Sequence, residues 1–180
     1  MKASSADPLR LRWLFFSLLT LLVTPLLADG DLSAHKREAG LPGTGAERLR
    51  ALADDGRWEV REVLASNRRA PTDLLERLAA DPDQRVRIAV ATNLSTSQAV
   101  HMRLARDADP QVRSVVARFE YLPVPVPVLM LLADDPLADI RLEVARSLNA
   151  DEALLRKVMQ DQDHTVSQTD EQALQALMAR

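Results

Sequence analysis

From residue 46 onwards, two apolar rhythms alternate along the chain. The stretches "DGRWEVREVLASN" at 55, "DPDQRVRIAVATN" at 81, "DADPQVRSVVARF" at 107 and "DPLADIRLEVARS" at 135 superimpose without gaps, at spacings of 26, 26 and 28. Each places apolar residues at steps of four and five, which puts them on one helical face. The columns read Val60, Leu64, Ala65; Val86, Val90, Ala91; Val112, Val116, Ala117; and Ile140, Val144, Ala145. A second apolar segment follows each stretch, with columns Leu74, Leu75, Leu78, Ala79; Val100, His101, Leu104, Ala105; Val128, Leu129, Leu132, Ala133; and Leu154, Leu155, Val158, Met159. A half copy, "AERLRALAD" from Ala46, comes before the first full unit, and an eroded copy, "DQDHTVSQTDEQA", begins at Asp161.

The unit is thus a pair of short helices, each of about nine residues, too short to persist alone in water. Stacking of neighbouring pairs must hold it, and the alanine columns allow the close backbone approach that stacking needs. The pattern predicts an all-α solenoid of four to five helical pairs over residues 46–180, closed by a last helix in "TDEQALQALMAR" with Thr169 or Asp170 as its N-cap. The third unit alone is longer, and its two extra residues fall inside "EYLPVPVPV". Pro127 suits the first turn of a helix, while Pro123 and Pro125 impose an extended lead-in, so the prolines widen a turn. The repeat phase resumes at Asp135, which argues against a domain linker, and the P-x-P-x-P spacing lacks the P-x-x-P of polyproline ligands.

The pattern D-x-x-x-x-V-R-x-x-V-A-x-N, followed by a loop and L-L-x-x-L-A, resembles the leucine-rich repeat variant family, close kin of HEAT repeats. The likeness runs from Ala46 to about Gln160. It implies a right-handed α-solenoid of alternating helices, leaves open whether one helix of each pair is 3₁₀, and points to a binding surface rather than an activity. Family members that carry an iron-sulfur site need cysteines, and this chain has none. The motif asparagine stands at Asn67 and Asn93 but becomes Phe119 and Ser147, so the loops after the third and fourth first-helices should differ in shape.

Residues 1–28 follow a different grammar. Lys2, Arg10 and Arg12 precede the apolar run Trp13 to Ala28, after which the chain turns polar. As a helix this run would reach about 24 Å, short of a comfortable membrane span. It reads as a cleaved export signal with Ala28 before the cut; the large Leu26 keeps an uncleaved N-terminal anchor as the alternative. Arg10 and Arg12 are not adjacent, so twin-arginine export is not indicated. Either reading predicts a location in the periplasm or cell envelope, with membrane contact only through this segment. Residues 29–45 hold four of the five glycines without apolar periodicity and read as a flexible spacer.

Composition narrows the chemistry. Without cysteine there are no disulfides, thiolate nucleophiles or cysteine-bearing metal sites. Beyond residue 28 the chain has 20 basic and 25 acidic groups, a formal net charge of −5, which disfavours a nucleic-acid partner. His35, His101 and His164 show no metal-ligand spacing, and no nucleophile elbow or phosphate-binding glycine loop is present. We therefore expect no enzyme and no cofactor. The aspartate and arginine that recur six apart (Asp55 and Arg61, Asp81 and Arg87, Asp107 and Arg113, Asp135 and Arg141) are copied four times, which marks scaffold; they are expected to cap helix starts and tie each repeat to the next. Ser167 replaces the arginine in the last copy, where such a ladder would end.

Binding has better material. Glu76, Met102, Met130 and Arg156 fall in one row of the second helices, and Arg77, Arg103, Leu131 and Lys157 fall in the next. Met102, Met130 and Leu131 stand where a solvated face would carry charge, unless Met130 and Leu131 pack under the proline-rich turn; Phe119 and Tyr121 occupy the adjoining loop. An apolar patch of these five residues, rimmed by Arg77, Arg103, Arg156 and Lys157, suits an acidic or amphipathic protein segment. The expected function is that of an exported protein–protein interaction scaffold or adaptor in the cell envelope, with an accessory subunit or chaperone-like maturation factor for an envelope enzyme as the alternative.

Overall fold

A computed structural model describes residues 31–118, 124–147 and 151–169. The described residues are helical, with no strand among them. Helix α1 covers residues 31–40 and is followed by α2 (Ala46–Leu52), α3 (Trp58–Ser66), α4 (Thr72–Leu78), α5 (Gln84–Ala91), α6 (Gln98–Leu104), α7 (Pro110–Ala117), α8 (Val126–Leu132), α9 (Ala138–Ala145), α10 (Glu152–Met159) and α11 (His164–Thr169). Odd and even helices form two layers. In the odd layer α3, α5, α7, α9 and α11 pack each on the next, and in the even layer α6, α8 and α10 do the same. From α2 to α10 both helices of each pair are α.

The predicted columns form the core. Val60, Leu64, Val86, Val90, Val112, Val116 and Val144 are fully buried, and the alanines Ala65, Ala91, Ala117 and Ala145 lie between successive odd helices. Most even-helix column residues join them in a single continuous apolar cluster from Ala39 to Val166, with Met159 half-buried outside it. Helices of seven to nine residues gain little from propensity, so this shared seam is what stabilises them. Local signals set the starts. The side chains of Asp83, Ser97, Asp109 and Asp151 each accept a backbone N–H from the first turn of the helix that follows. In α8, Pro125 is the N-cap and Pro127 the second helical residue, one step later than expected, because Val126 already has helical geometry. Pro123 and the widened turn lie outside the described residues.

The N-terminal boundary of the array differs from the expectation. Residues 29–45 were expected as a flexible spacer, yet 31–40 form a helix that packs on the array: Ala39 is fully buried, and Leu32 lies against the core. The approach is close, since a Cβ on Gly40 would stand 3.2 Å from Val63 Cγ1. The physical reason is register. Counting back 26 residues from α3 aligns Ala39 with Ala65, His35 with Arg61 and the pair Asp29-Gly30 with Asp55-Gly56. Helices α1 and α2 are therefore a complete additional repeat, and the half copy at Ala46 is its second helix. At the other end Thr169, the last described residue, lies within helix α11 and so is not an N-cap. The expected closing helix, and the export or anchor segment at 1–28, lie outside the described residues.

Candidate functional site

Two polar ladders run through the seams between repeats. In the first, each arginine of an odd helix reaches the aspartate of the next repeat. Arg61 donates to Asp81 at 2.6 and 3.0 Å, Arg87 to Asp107 at 2.7 and 3.0 Å, Arg113 to Asp135 at 2.7 and 3.2 Å, and Arg141 to Asp161 at 2.6 and 2.9 Å. The third guanidinium nitrogen donates to the backbone oxygen of the aspartate six residues earlier, at 2.7 to 2.9 Å. The carboxylate bonded by each arginine thus belongs to the following repeat, while its own aspartate receives only a bond to the main chain. Nor do the ladder aspartates cap helices directly. Each accepts the N–H two residues on and shapes the turn that leads into the helix.

These rungs are bidentate, and their carboxylates are 3 to 9 % exposed, so water competes little for them. The Arg141 guanidinium holds the Asp161 carboxyl below its ordinary value. Burial opposes ionisation of Asp107, yet Arg87 and the Asp109 N–H bring its net shift downward as well. Asp161 is the last rung among the described residues: Ser167 stands at the next arginine position, and its hydroxyl donates to His164 O, 3.2 Å away.

The second ladder was not legible as such in the sequence. Asn67 Nδ2 donates to Ala39 O at 2.7 Å and Asn93 Nδ2 to Ala65 O at 2.6 Å and to Asn67 O at 3.0 Å, each reaching back into the preceding repeat. Their side-chain oxygens accept the N–H of Arg69 and Ser95. Seen along the chain, Asn67 and Asn93 are only a loop motif; their reach across 26 to 28 residues appears once the repeats are stacked. Arg85 adds a further tie across the first full seam, with its guanidinium 3.3 Å from the Trp58 ring centroid.

The residues expected to bind a partner are placed unevenly. Met102, Met130 and Leu131 do not stand on a solvated face: all three are half-buried and pack against the core cluster. The rim is largely neutralised within the chain. Arg77 pairs with Asp54, Arg156 with Glu152 at 2.6 Å, and Lys157 with Asp134 at 2.6 Å. Arg103 is exposed and makes no ion pair among the described residues. Phe119 and Tyr121 lie outside the described residues. Exposed Arg68, Arg69 and Arg118, on the loop edge after the odd helices, were passed over, since nothing in the repeat motif marks them. Arg68 lines a cleft of about 270 Å³ with Ser66, Thr92, Asn93 and Leu94. A second cleft of about 410 Å³ includes Asp134, Asp135, Arg141, Lys157 and Asp161, so it is floored by a ladder rung. Among the described residues, no group of histidine and carboxylate side chains is arranged to hold a metal ion, and no helix is long and apolar enough to cross a membrane.

His101 occupies a leucine column and is buried in α6, with Nε2 3.0 Å from Ala91 O. Burial pushes its imidazole below the ordinary histidine value. The unfolded chain therefore takes up a proton that the folded array resists, and stability falls as pH drops below about 6.5. The variant His101→Leu is expected to have a Tm that changes less than the wild type between neutral pH and mild acid. Equal changes in the two proteins would assign that pH response elsewhere.

Comparison with known proteins places this geometry. Residues 58–83, one full repeat, match the family model described as leucine rich repeat variant. Among solved structures the chain is similar to one titled "a leucine-rich repeat variant with a novel repetitive protein structural motif", at 34 % sequence identity and a TM-score of 0.60. That likeness covers 88 % of this chain and 64 % of the other, so the chain spans just under two thirds of that protein's length. A search of curated proteins found no match. One repeat of this chain thus matches the leucine rich repeat variant, and its all-helical repeat fold is similar to that of the solved structure.

Proposed function

We propose that this chain is an exported scaffold of the cell envelope that binds protein partners along the outer rows of its helices. The observation that carries the reading is the single core running from Ala39 to Val166, stitched at each described seam. Such an array offers a long continuous face, while the cleft at Asp135, Arg141 and Asp161 is floored by groups already engaged in a seam. Helical repeats of this kind typically serve binding, and extended surfaces suit segments of partner proteins better than small substrates. Export rests on the apolar run from Trp13 to Ala28 behind three basic residues. Because α1 is already helical at residue 31, at most two residues separate that run from the array. An uncleaved run would hold the start of the array within about 11 Å of its own last residue.

The test is co-purification of the tagged full-length chain from an envelope fraction. One stoichiometric partner supports an accessory subunit, several substoichiometric partners support an adaptor, and no enrichment over a tag-only control removes the binding reading. N-terminal sequencing of the recovered protein reports whether the chain is cut after Ala28. For the surface itself, Arg103→Glu combined with Tyr121→Ala is expected to reduce recovery of the partner at least tenfold, about 1.4 kcal/mol, with helical content unchanged. Full recovery by that variant would move the binding surface away from the second-helix rows.

A further inference from the structure

The loops after α1, α3 and α5 are tied side by side along one edge of the array. Asn67 Nδ2 reaches Leu41 O at 3.4 Å as well as Ala39 O, Ser95 Oγ donates to Arg68 O at 2.8 Å, and Asn93 Nδ2 donates to Asn67 O. The edge is thus held in shape before anything binds it, which lowers the entropic cost of docking. Leu41 stands on it 49 % exposed; among the described residues the only other large apolar side chain so open is Leu137. We propose that this edge docks an acidic segment of a protein partner, with Leu41 as the apolar contact and Arg68 and Arg69 as the charged ones. The inference rests on the protein-binding reading above and gives it a surface apart from the second-helix rows.

Charge decides the partner. The chain is acidic overall beyond residue 28, yet the free charges of this edge are cations. Its carboxylates are already matched: Glu38 pairs with Arg48, Asp73 pairs with Arg50 at 3.1 Å, and Glu47 acts on Arg50 as well. Arg68 and Arg69 are exposed and make no ion pair among the described residues. Arg118, which the register aligns with Thr92, is exposed on the same terms and carries the positive edge one repeat further. Neighbouring guanidinium groups with open donors suit bidentate contacts with carboxylates.

The cleft of about 270 Å³ lies between the second and third of these loops. Its lining offers a carboxylate two sources of donors, the Arg68 guanidinium and the Ser66 hydroxyl, which bonds to no other described residue. Leu94 supplies an apolar wall. Clefts that hold small-molecule ligands run to about 300–1,000 Å³, so this one fits a single side chain of a segment laid across the loops. Helix direction separates a protein partner from a lipid surface. Odd helices begin at the aspartate turns and end at this edge, so the chain before residue 31 joins the array on the opposite side. Helix α1, residues 31–40, spans about 15 Å between the two sides. A chain anchored through residues 1–28 therefore turns Arg68 and Arg69 away from its own bilayer.

Fluorescence anisotropy on the full chain tests the edge, with a labelled peptide, Glu-Glu-Leu-Glu-Glu, at low salt. Saturable binding is expected, weakened roughly tenfold by Arg68→Ser combined with Arg69→Ser, about threefold by Leu41→Ser, and less than about twofold by Arg103→Ser in the second-helix rows. All four sites are exposed, so helical content by circular dichroism should stay unchanged. Absence of saturable binding, or an equal loss in Arg103→Ser, would overturn the proposal. Tighter binding to phosphatidylglycerol vesicles than to the peptide, with the same dependence on Arg68 and Arg69, would overturn it in favour of a lipid surface. Co-purification from an envelope fraction separates this inference from the broader one. A partner recovered undiminished by the Arg68 and Arg69 variant removes this edge and leaves protein binding standing, whereas no enrichment by the wild type removes both.

Discussion

Replacing Arg87 by alanine is expected to cost the array about 3 kcal/mol and to split its thermal unfolding into two transitions. Arg87 fills the centre of the ladder, bonded to both oxygens of Asp107 and to the main-chain oxygens of Asp81 and Pro82. Asp107 is 9 % exposed and would keep only the N–H of Asp109, so a charge shielded from water would lose its counter-ion. Asp81 O and Pro82 O would lose a donor in the same step. For a chain of this size the loss corresponds to a fall of about 6–12 °C in Tm. The split follows from topology, because Arg87 links the second and third full repeats of an array in which each unit packs mainly on its neighbours. Arg87→Met with Asp107→Leu removes both charges and should recover part of the loss. A single transition within about 2 °C of the wild type would show that the rung is not a determinant of stability.

The second large effect is expected at Asn93. Asn93→Ala strips the donor from Ala65 O, one of two donors from Asn67 O, which keeps the Ala70 N–H, and the acceptor from Ser95 N–H, at a residue that is 4 % exposed. An unpaired buried carbonyl, a weakened second one and a lost turn bond together amount to about 2–3 kcal/mol. Asn93→Asp, of the same shape, should cost at least as much, because a carboxylate would face two carbonyl oxygens. Urea unfolding monitored by circular dichroism gives the stability change, and hydrogen exchange across residues 65–70 shows whether the damage sits at this seam. Exchange lost equally in all repeats would contradict a local role.

Core columns are the part of this molecule that a sequence exposes most directly. Val60, Leu64 and Ala65 recur in register because an internal repeat is covered on both sides, so every unit meets the same demand for small and branched apolar side chains. The first repeat escaped the pattern for the converse reason. Among the described residues it is covered on one side only, and Ala34 and Glu38 stand where Val60 and Leu64 stand one repeat later. Histidine for arginine and Leu41 for asparagine then hid both ladders, although Asp29-Gly30 and Ala39 kept their phase. The aspartate–arginine period was visible, but not which aspartate each arginine bonds, since stacking decides that. Met102, Met130 and Leu131 were misplaced because helical spacing alone sets a direction, while neighbouring helices set the depth at which a side chain ends.

The ladder has a consequence for how such a chain can grow or shrink. Every arginine looks forward to an aspartate and every described ladder asparagine looks back to a main-chain oxygen, so a unit excised at Asp81 and Asp107 carries both halves of its own joints. Deleting residues 81–106 would set Arg61 opposite Asp107 and keep the arginine–aspartate rung, but Phe119 would stand where Asn93 had reached back. Duplicating the same cassette keeps both kinds of tie, because each copy brings its own arginine, aspartate and asparagine. Length in this fold is thus a heritable variable that can grow by whole units while the join itself stays the same.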